Sequence, residues 1–172
     1  MHSKKILTPL TLGIAGPSGS GKTTLIERLI PLLLNSGKTV STLKHVHHDI
    51  ELDKPGKDSF RHRQAGAHQV MISLPSGWAL FSPETSPIKA ELHELVKMMA
   101  PVDLVLVEGY RSLPIKKIEV FNSTLNGTLN QPFHSSVMAV AADISIPNLS
   151  VPMFNRNDIG KISNFIVTNL DI

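Results

Sequence analysis

The sequence predicts an α/β fold with a mostly parallel central sheet, and three observations predict it. Short runs of consecutive apolar residues, at Leu10 to Ala15 and Leu104 to Val107, have the length and composition of strands buried on both faces. These alternate with segments whose apolar residues recur every three or four positions, the spacing of a helix with one buried face. A glycine-rich turn joins the first strand to the first helix, at the strand edge where open α/β sheets bind ligands.

The elements follow in order. Leu10 to Ala15 is the first strand. Lys22 to Asn35 is the first helix, with Leu25, Ile26, Leu29, Leu32 and Leu33 on its inner side and a bend expected at Pro31, which lacks a backbone donor. Ser36-Gly37 ends it, and Thr39 to Leu43 is the next strand. Leu52 to Arg63 starts as a polar loop around Pro55-Gly56 and leads into a short helix. His68 to Ser73 and Trp78 to Ser82 flank Leu74-Pro75-Ser76-Gly77 as a hairpin. Ser86-Pro87 opens a helix with Ile88, Leu92, Leu95, Val96 and Met99 on one face. Asp103 to Val107 is a central strand, with Asp103 at the end far from any ligand. Lys117 to Phe121, Val137 to Ala141 and Val151 to Phe154 are further strands, and Asn122 to Ser136 is a loop rich in Asn, Thr, Ser and Gly. Asp158 caps a last helix with Ile159, Ile162, Phe165 and Ile166 inside. All 172 residues are read as one domain.

Composition excludes several classes. With 41% hydrophobic residues there is enough for a core. No apolar run approaches the roughly 18 residues of a spanning helix. Lys4 and Lys5 precede Ile6 and Leu7 as in a leader, but Thr8 and Pro9 interrupt, and the next apolar run enters the glycine turn; the expected location is the cytoplasm. There are no cysteines, which excludes disulfides and thiolate metal sites. A net charge of +3 without basic runs or interleaved aromatics suits an anionic small molecule as well as it suits nucleic acid. The partner expected is a nucleotide, with neither nucleic acid nor membrane.

Gly16-Pro17-Ser18-Gly19-Ser20-Gly21-Lys22-Thr23 matches the phosphate-loop pattern G-x-x-x-x-G-K-[ST] between a strand and a helix, with Thr24 following it. Glycines let the backbone turn its N–H groups around an anion, and the helix start adds its positive end. Lys22 reaches the β- and γ-phosphates, and the Thr23 hydroxyl is a Mg²⁺ ligand. The fold class is therefore the three-layer P-loop NTPase type. Leu104 to Val107 delivers Glu108 to the same edge, where it holds Mg²⁺ through a water, polarises an attacking water, or only ends the strand.

The motifs together resemble the molybdopterin-guanine dinucleotide biosynthesis protein B (MobB) family. The resemblance is carried by the phosphate loop, by Lys44-His45-Val46-His47-His48-Asp49, and by Asp53-Lys54-Pro55-Gly56-Lys57-Asp58-Ser59 with Arg61 and Ala65-Gly66-Ala67. Val107-Glu108-Gly109-Tyr110-Arg111 and Phe154-Asn155-Arg156-Asn157-Asp158 complete it. It implies a GTP-binding protein, at most a weak GTPase with Mg²⁺, that assists a molybdopterin guanylyltransferase in attaching GMP to molybdopterin. It also implies a homodimer. The Asn122 to Gln131 segment has no place in the family pattern.

Lys44 to Asp49 leaves the second strand at the ligand edge. His45, His47 and His48 read as a switch sensing the γ-phosphate, as a platform for an anionic pterin, as a metal pair through His45 and His47, or as solvated side chains. By resemblance Asp58 contacts the Mg²⁺ shell or the lytic water, with Asp49 second; Asp58 also reads as a helix N-cap. Lys57, Arg61 and Arg63 with Lys44 make a basic face that suits the phosphate and dithiolene of a pterin cofactor or is simply solvated. Asn155-Arg156-Asn157-Asp158 resembles the guanine-binding N-K-x-D pattern with Arg for Lys, though Asp158 is also a helix cap and Asp143 is a rival. The residues leave the base open and the resemblance favours GTP. The alternative function is a small-molecule kinase or ATP-dependent ligase on the same fold, against which stands the lack of an Arg-rich lid. A nucleotide-gated binding module with negligible turnover overlaps with the first reading.

Overall fold

A computed structural model describes residues 9–46, 53–82, 91–125 and 135–172. Its contacts divide the chain into two units, Met1–His45 with Val96–Ile172, and Val46–Leu95.

The first unit holds a six-stranded sheet. In chain order its strands are β1 (Leu10–Ala15), β2 (Val40–Lys44), β5 (Leu104–Glu108), β6 (Lys117–Val120), β7 (Val137–Ala142) and β8 (Met153–Asn155). Their spatial order is β2-β5-β1-β6-β7-β8, and every pairing is parallel. Helix α1 (Lys22–Asn35) follows β1, and α4 (Ile159–Leu170) follows β8. They pack on one face of the sheet, where Leu29, Leu33, Ile162 and Ile166 meet Leu12, Ile14, Leu106 and Ile118 in one fully buried cluster. Burying each such side chain is worth about 1.5–3 kcal/mol. The other face is buried too, at Val105, Val107 and Val140, as the apolar runs of both central strands require.

Two expected boundaries move by one residue. β2 begins at Val40 rather than Thr39, and β5 at Leu104 rather than Asp103. The Asp103 carboxylate accepts from the Thr39 amide and hydroxyl, both at 2.7 Å, and the Thr39 hydroxyl accepts from the Asp103 amide at 2.9 Å. These side chains clamp the starts of two neighbouring strands, just ahead of the first register pair, Val40 with Leu104, and the Thr39 carbonyl accepts from the Leu104 amide at 3.2 Å. α1 runs unbroken through Pro31.

The second unit contains α2 (Asp58–Gln64) and an antiparallel hairpin, β3 (Val70–Leu74) with β4 (Gly77–Phe81). Leu74 pairs with Gly77, so the turn is Pro75-Ser76 alone. Met71, Trp78 and Leu80 are exposed on one side of the hairpin. Asp53, nearly buried, accepts from Ser59 at 2.9 Å and faces Arg63 at 3.8 Å, tying α2 to the segment before it. α3 (Leu92–Lys97) spans the division between the units and buries Leu92 and Val96. The expected helix start at Ser86-Pro87 lies outside the described residues, as does the loop from 126 to 134.

Candidate functional site

The site is built at the carboxyl ends of β1, β5 and β2. Ile14 and Lys44 both stand in register with Glu108 on opposite sides of β5. Strand pairing alone therefore brings Lys44 and Glu108 beside the loop that leaves β1.

That loop has the shape of a phosphate cradle. Gly16, Gly19 and Gly21 have φ of 138°, 78° and 99°, the region that only glycine enters cheaply. A Cβ on Gly16 would sit 2.4 Å from the Val120 carbonyl oxygen and 2.8 Å from the Ser20 hydroxyl, so no other residue fits. Gly21 caps α1 in the left-handed conformation without a side-chain hydrogen bond. The first amides of the helix, from Lys22 to Thr24, thus have no side-chain cap and present their positive end to an anion. Ser20 is fully buried, and its hydroxyl has no hydrogen-bond partner among the described residues.

Lys22 lies across this cradle and donates to the Pro17 carbonyl at 2.7 Å. Burial lowers its ammonium below the ordinary lysine range; Glu108 opposes that shift, and Lys44 and Arg111 add to it. The Thr23 hydroxyl lies 3.0 and 3.1 Å from the two Glu108 carboxylate oxygens, and the Lys44 ammonium is 3.6 Å from one of them. A hydroxyl and a carboxylate meeting at a phosphate loop form the hard oxygen donor set that Mg²⁺ takes.

The turn from Asn155 to Asp158 is tied to the same loop. Arg156 donates to the Ser20 carbonyl at 3.1 Å and faces Asp143 at 3.7 Å. Asp143 accepts from the Ser123 amide and hydroxyl at 2.9 Å each. Against the upward push of burial, these bonds and Arg156 hold the Asp143 carboxyl below its usual range. Asp158 is the N-cap of α4, accepting from the Lys161 amide at 3.3 Å and pairing with its ammonium at 2.8 Å. Those bonds to Lys161 lower its pKa. Asn155 accepts from the Asn157 amide, and Arg28 donates to Asn157, so the whole turn is held in place.

The other expected residues fall out as follows. The His45 amide donates to the Glu108 carbonyl at 2.9 Å, and its ring stacks on Tyr110 at 4.2 Å. Gly109 makes room for this, since a Cβ there would stand 3.0 Å from His45 Cβ. His47, His48 and Asp49 lie outside the described residues. Among the described residues no group of three His, Asp or Glu side chains is placed to hold a metal. Asp58 does not cap α2: Lys57 does, and Asp58 is the first helical residue, exposed and paired with Arg61 at 3.8 Å. An acid in the first turn favours the helix dipole without any capping bond. Arg63, placed by sequence on a basic face, turns instead to Asp53 and lies over the Phe81 ring, 4.9 Å from its centre.

Sequence reasoning missed a buried group of charges on β6. Glu119 accepts from Arg111 at 3.1 Å, and Lys117 donates to the Arg111 and Leu113 carbonyls at 2.6 Å each. The visible signal was Lys117-Ile118-Glu119-Val120, charges alternating with core residues.

Comparison with known proteins identifies the family. Residues 11–143 match the model of the family described as Molybdopterin guanine dinucleotide synthesis protein B. The chain is 38% identical over 169 residues to the molybdopterin-guanine dinucleotide biosynthesis adapter protein of Escherichia coli (strain K12), covering 95% of this chain and 94% of that one. It is 37% identical over 155 residues to the protein of the same name from Haemophilus influenzae, covering 90% and 86%. Among solved structures, a molybdopterin-guanine biosynthesis protein B superposes with a TM-score of 0.71 at 26% identity over 95% of this chain and 100% of that one.

Proposed function

The chain belongs to the molybdopterin guanine dinucleotide synthesis protein B family, with a role in molybdenum cofactor biosynthesis, and from that premise we propose that it is a GTP- and Mg²⁺-binding adapter for the guanylyltransferase that joins GMP to molybdopterin. The observation that carries the nucleotide part is the meeting of Thr23 with both oxygens of Glu108 at the mouth of the Gly16–Thr23 cradle. Thr23 and Glu108 would hold Mg²⁺, Glu108 directly or through a water, and Lys22 with the loop amides would hold the β- and γ-phosphates. Bound Mg²⁺ would neutralise charge on the phosphate oxygens. With the nucleotide bound, the Lys22 ammonium now on the Pro17 carbonyl would be the donor for the phosphates, and the Glu108 carboxylate now facing Thr23 would be the acid for the metal shell.

Asp158 fits guanine, which offers a pair of N–H donors that adenine lacks, and Arg156 keeps the turn carrying Asp158 braced against the phosphate loop. Asp143 is engaged by Ser123 and Arg156 and Asp158 by Lys161, so either carboxylate would have to share its partners to read the base; Asp158 is our first candidate and Asp143 its rival. Any GTP hydrolysis would be weak. Asp58 and Asp49 remain our candidates for the water or metal shell, and Lys44, His45, His47, His48 and Arg61 for contacts to molybdopterin or to a γ-phosphate switch. We place the protein in the cytoplasm as a homodimer; no described helix is long and apolar enough to cross a membrane.

Reconstitution tests this reading. Adding the chain and GTP to a molybdopterin guanylyltransferase loaded with molybdopterin should speed formation of the guanine dinucleotide cofactor, and a Lys22→Ala chain should not. An equal rate with and without the wild-type chain would sink the adapter role.

A further inference from the structure

The connection from β5 to β6 is unusual. Parallel strands in one sheet are normally joined by a crossover of about a dozen or more residues, most often helical. Here residues 109–116 do it with no helix. What holds them down is charge. Lys117, 2% exposed, donates to the carbonyls of Arg111 and Leu113, and Glu119, 5% exposed, accepts from the Arg111 guanidinium. Arg111 is thus gripped at its main chain and at its head by opposite charges two residues apart on one strand.

Such an arrangement is costly. Both Lys117 and Glu119 give up water, and burial pushes the Lys117 ammonium down and the Glu119 carboxyl up. Apolar residues at both positions would cover the sheet more cheaply. The charges do one thing apolar residues cannot: they present a guanidinium in a fixed orientation with half its side-chain surface open.

The place where it is presented matters. Glu119 stands in register with Ala15, the last residue before Gly16. The carbonyl of Val120, next to Glu119, stands so near Gly16 that a Cβ there would lie 2.4 Å from it. Arg111 is three residues past Glu108, which meets Thr23. Lys22 feels both Arg111 and Glu119 electrostatically. Arg111 is therefore anchored between the phosphate loop and the acidic strand end.

We propose that Arg111 is a built-in cation for the outermost phosphate of the bound triphosphate, positioned by Glu119 and Lys117. This rests on the nucleotide reading above. A guanidinium offers two parallel N–H donors to phosphate oxygens, a fork that a lysine cannot reproduce. With one nitrogen on Glu119 and half of the side chain open, the remaining N–H donors are available to an anion. A diphosphate would leave Arg111 without that contact, so Arg111 separates triphosphate from diphosphate.

The test is calorimetric titration of wild type, Arg111→Gln and Arg111→Lys with GTP and with GDP, Mg²⁺ present throughout. Arg111→Gln should bind GDP within about 2-fold of wild type and GTP about 10-fold more weakly, equivalent to about 1.4 kcal/mol. Arg111→Lys should fall between them, and it decides the matter if Arg111→Gln does not fold. An unchanged GTP-to-GDP ratio in both variants, or an equal loss of both nucleotides, overturns the proposal while leaving the nucleotide site standing. Wild-type chain that binds neither nucleotide overturns the nucleotide reading and this proposal with it.

Discussion

The Arg156 guanidinium donates to the carbonyl of Ser20 at 3.1 Å, joining the turn after β8 to the phosphate loop across most of the chain. Its other nitrogen faces Asp143. The phosphate loop and the Asn155 to Asp158 turn are thus joined through one side chain. Arg156→Ala should leave the fold intact and weaken GTP and ATP alike, by about 10-fold or more, since a hydrogen bond from a charged donor contributes a net of about 1.5–3 kcal/mol. Competition binding checks this; a loss confined to GTP would mean that Arg156 acts on the base itself.

Lys22 carries the most direct prediction about the phosphates. Its ammonium already bonds the Pro17 carbonyl and is partly desolvated. Lys22→Ala should reduce GTP affinity by about 100-fold or more without unfolding the chain, because the cradle keeps its amides and loses its central charge. Titration of a variant with wild-type circular dichroism and unchanged affinity would refute the assignment.

Glu108 should matter more for hydrolysis than for binding. Glu108→Gln keeps the shape and removes the charge facing Thr23 and Lys44. GTP binding should fall modestly, while single-turnover hydrolysis falls by about 10²-fold, or about 2.7 kcal/mol. Hydrolysis at the wild-type rate would reduce Glu108 to a strand end.

Much of this was legible in the sequence, for a physical reason. The phosphate loop, the Glu108 strand end and the α1 and α4 core faces are local patterns, and local patterns survive without tertiary knowledge. The Asp158 cap is local as well. The Asp103–Thr39 clamp and the Arg111–Glu119–Lys117 group join residues distant in sequence or depend on burial by a neighbouring segment. A lysine and a glutamate alternating on a strand ordinarily read as a solvent face; here the 109–116 connection covers them, and no local periodicity reports that. Asp53 escaped for the same reason, since its partners Ser59 and Arg63 lie on a helix it precedes.

The Asp103 clamp predicts a pH dependence of stability. Hydrogen bonds from the Thr39 amide and hydroxyl hold the Asp103 carboxyl below its usual range. A carboxylate depressed in the folded state adds stability that is complete above its unfolded value of about 4 and is lost as pH falls through the lower folded value. Asp103→Ala should therefore lower the urea midpoint at pH 7, and its gap from wild type should shrink as pH drops below about 4. A gap that stays constant or widens in acid would show that the clamp is not held by the charge.

Base selection with Mg²⁺ tests the central claim most directly. Wild type and Asp158→Ala are titrated with GTP and with ATP, with Mg²⁺ and then with excess chelator. Wild type should bind GTP more tightly than ATP, lose affinity when Mg²⁺ is removed, and lose its preference for GTP in Asp158→Ala. Equal affinities for GTP and ATP in the wild type, or binding indifferent to Mg²⁺, would contradict a GTP site built from the Gly16–Thr23 cradle, Glu108 and Asp158.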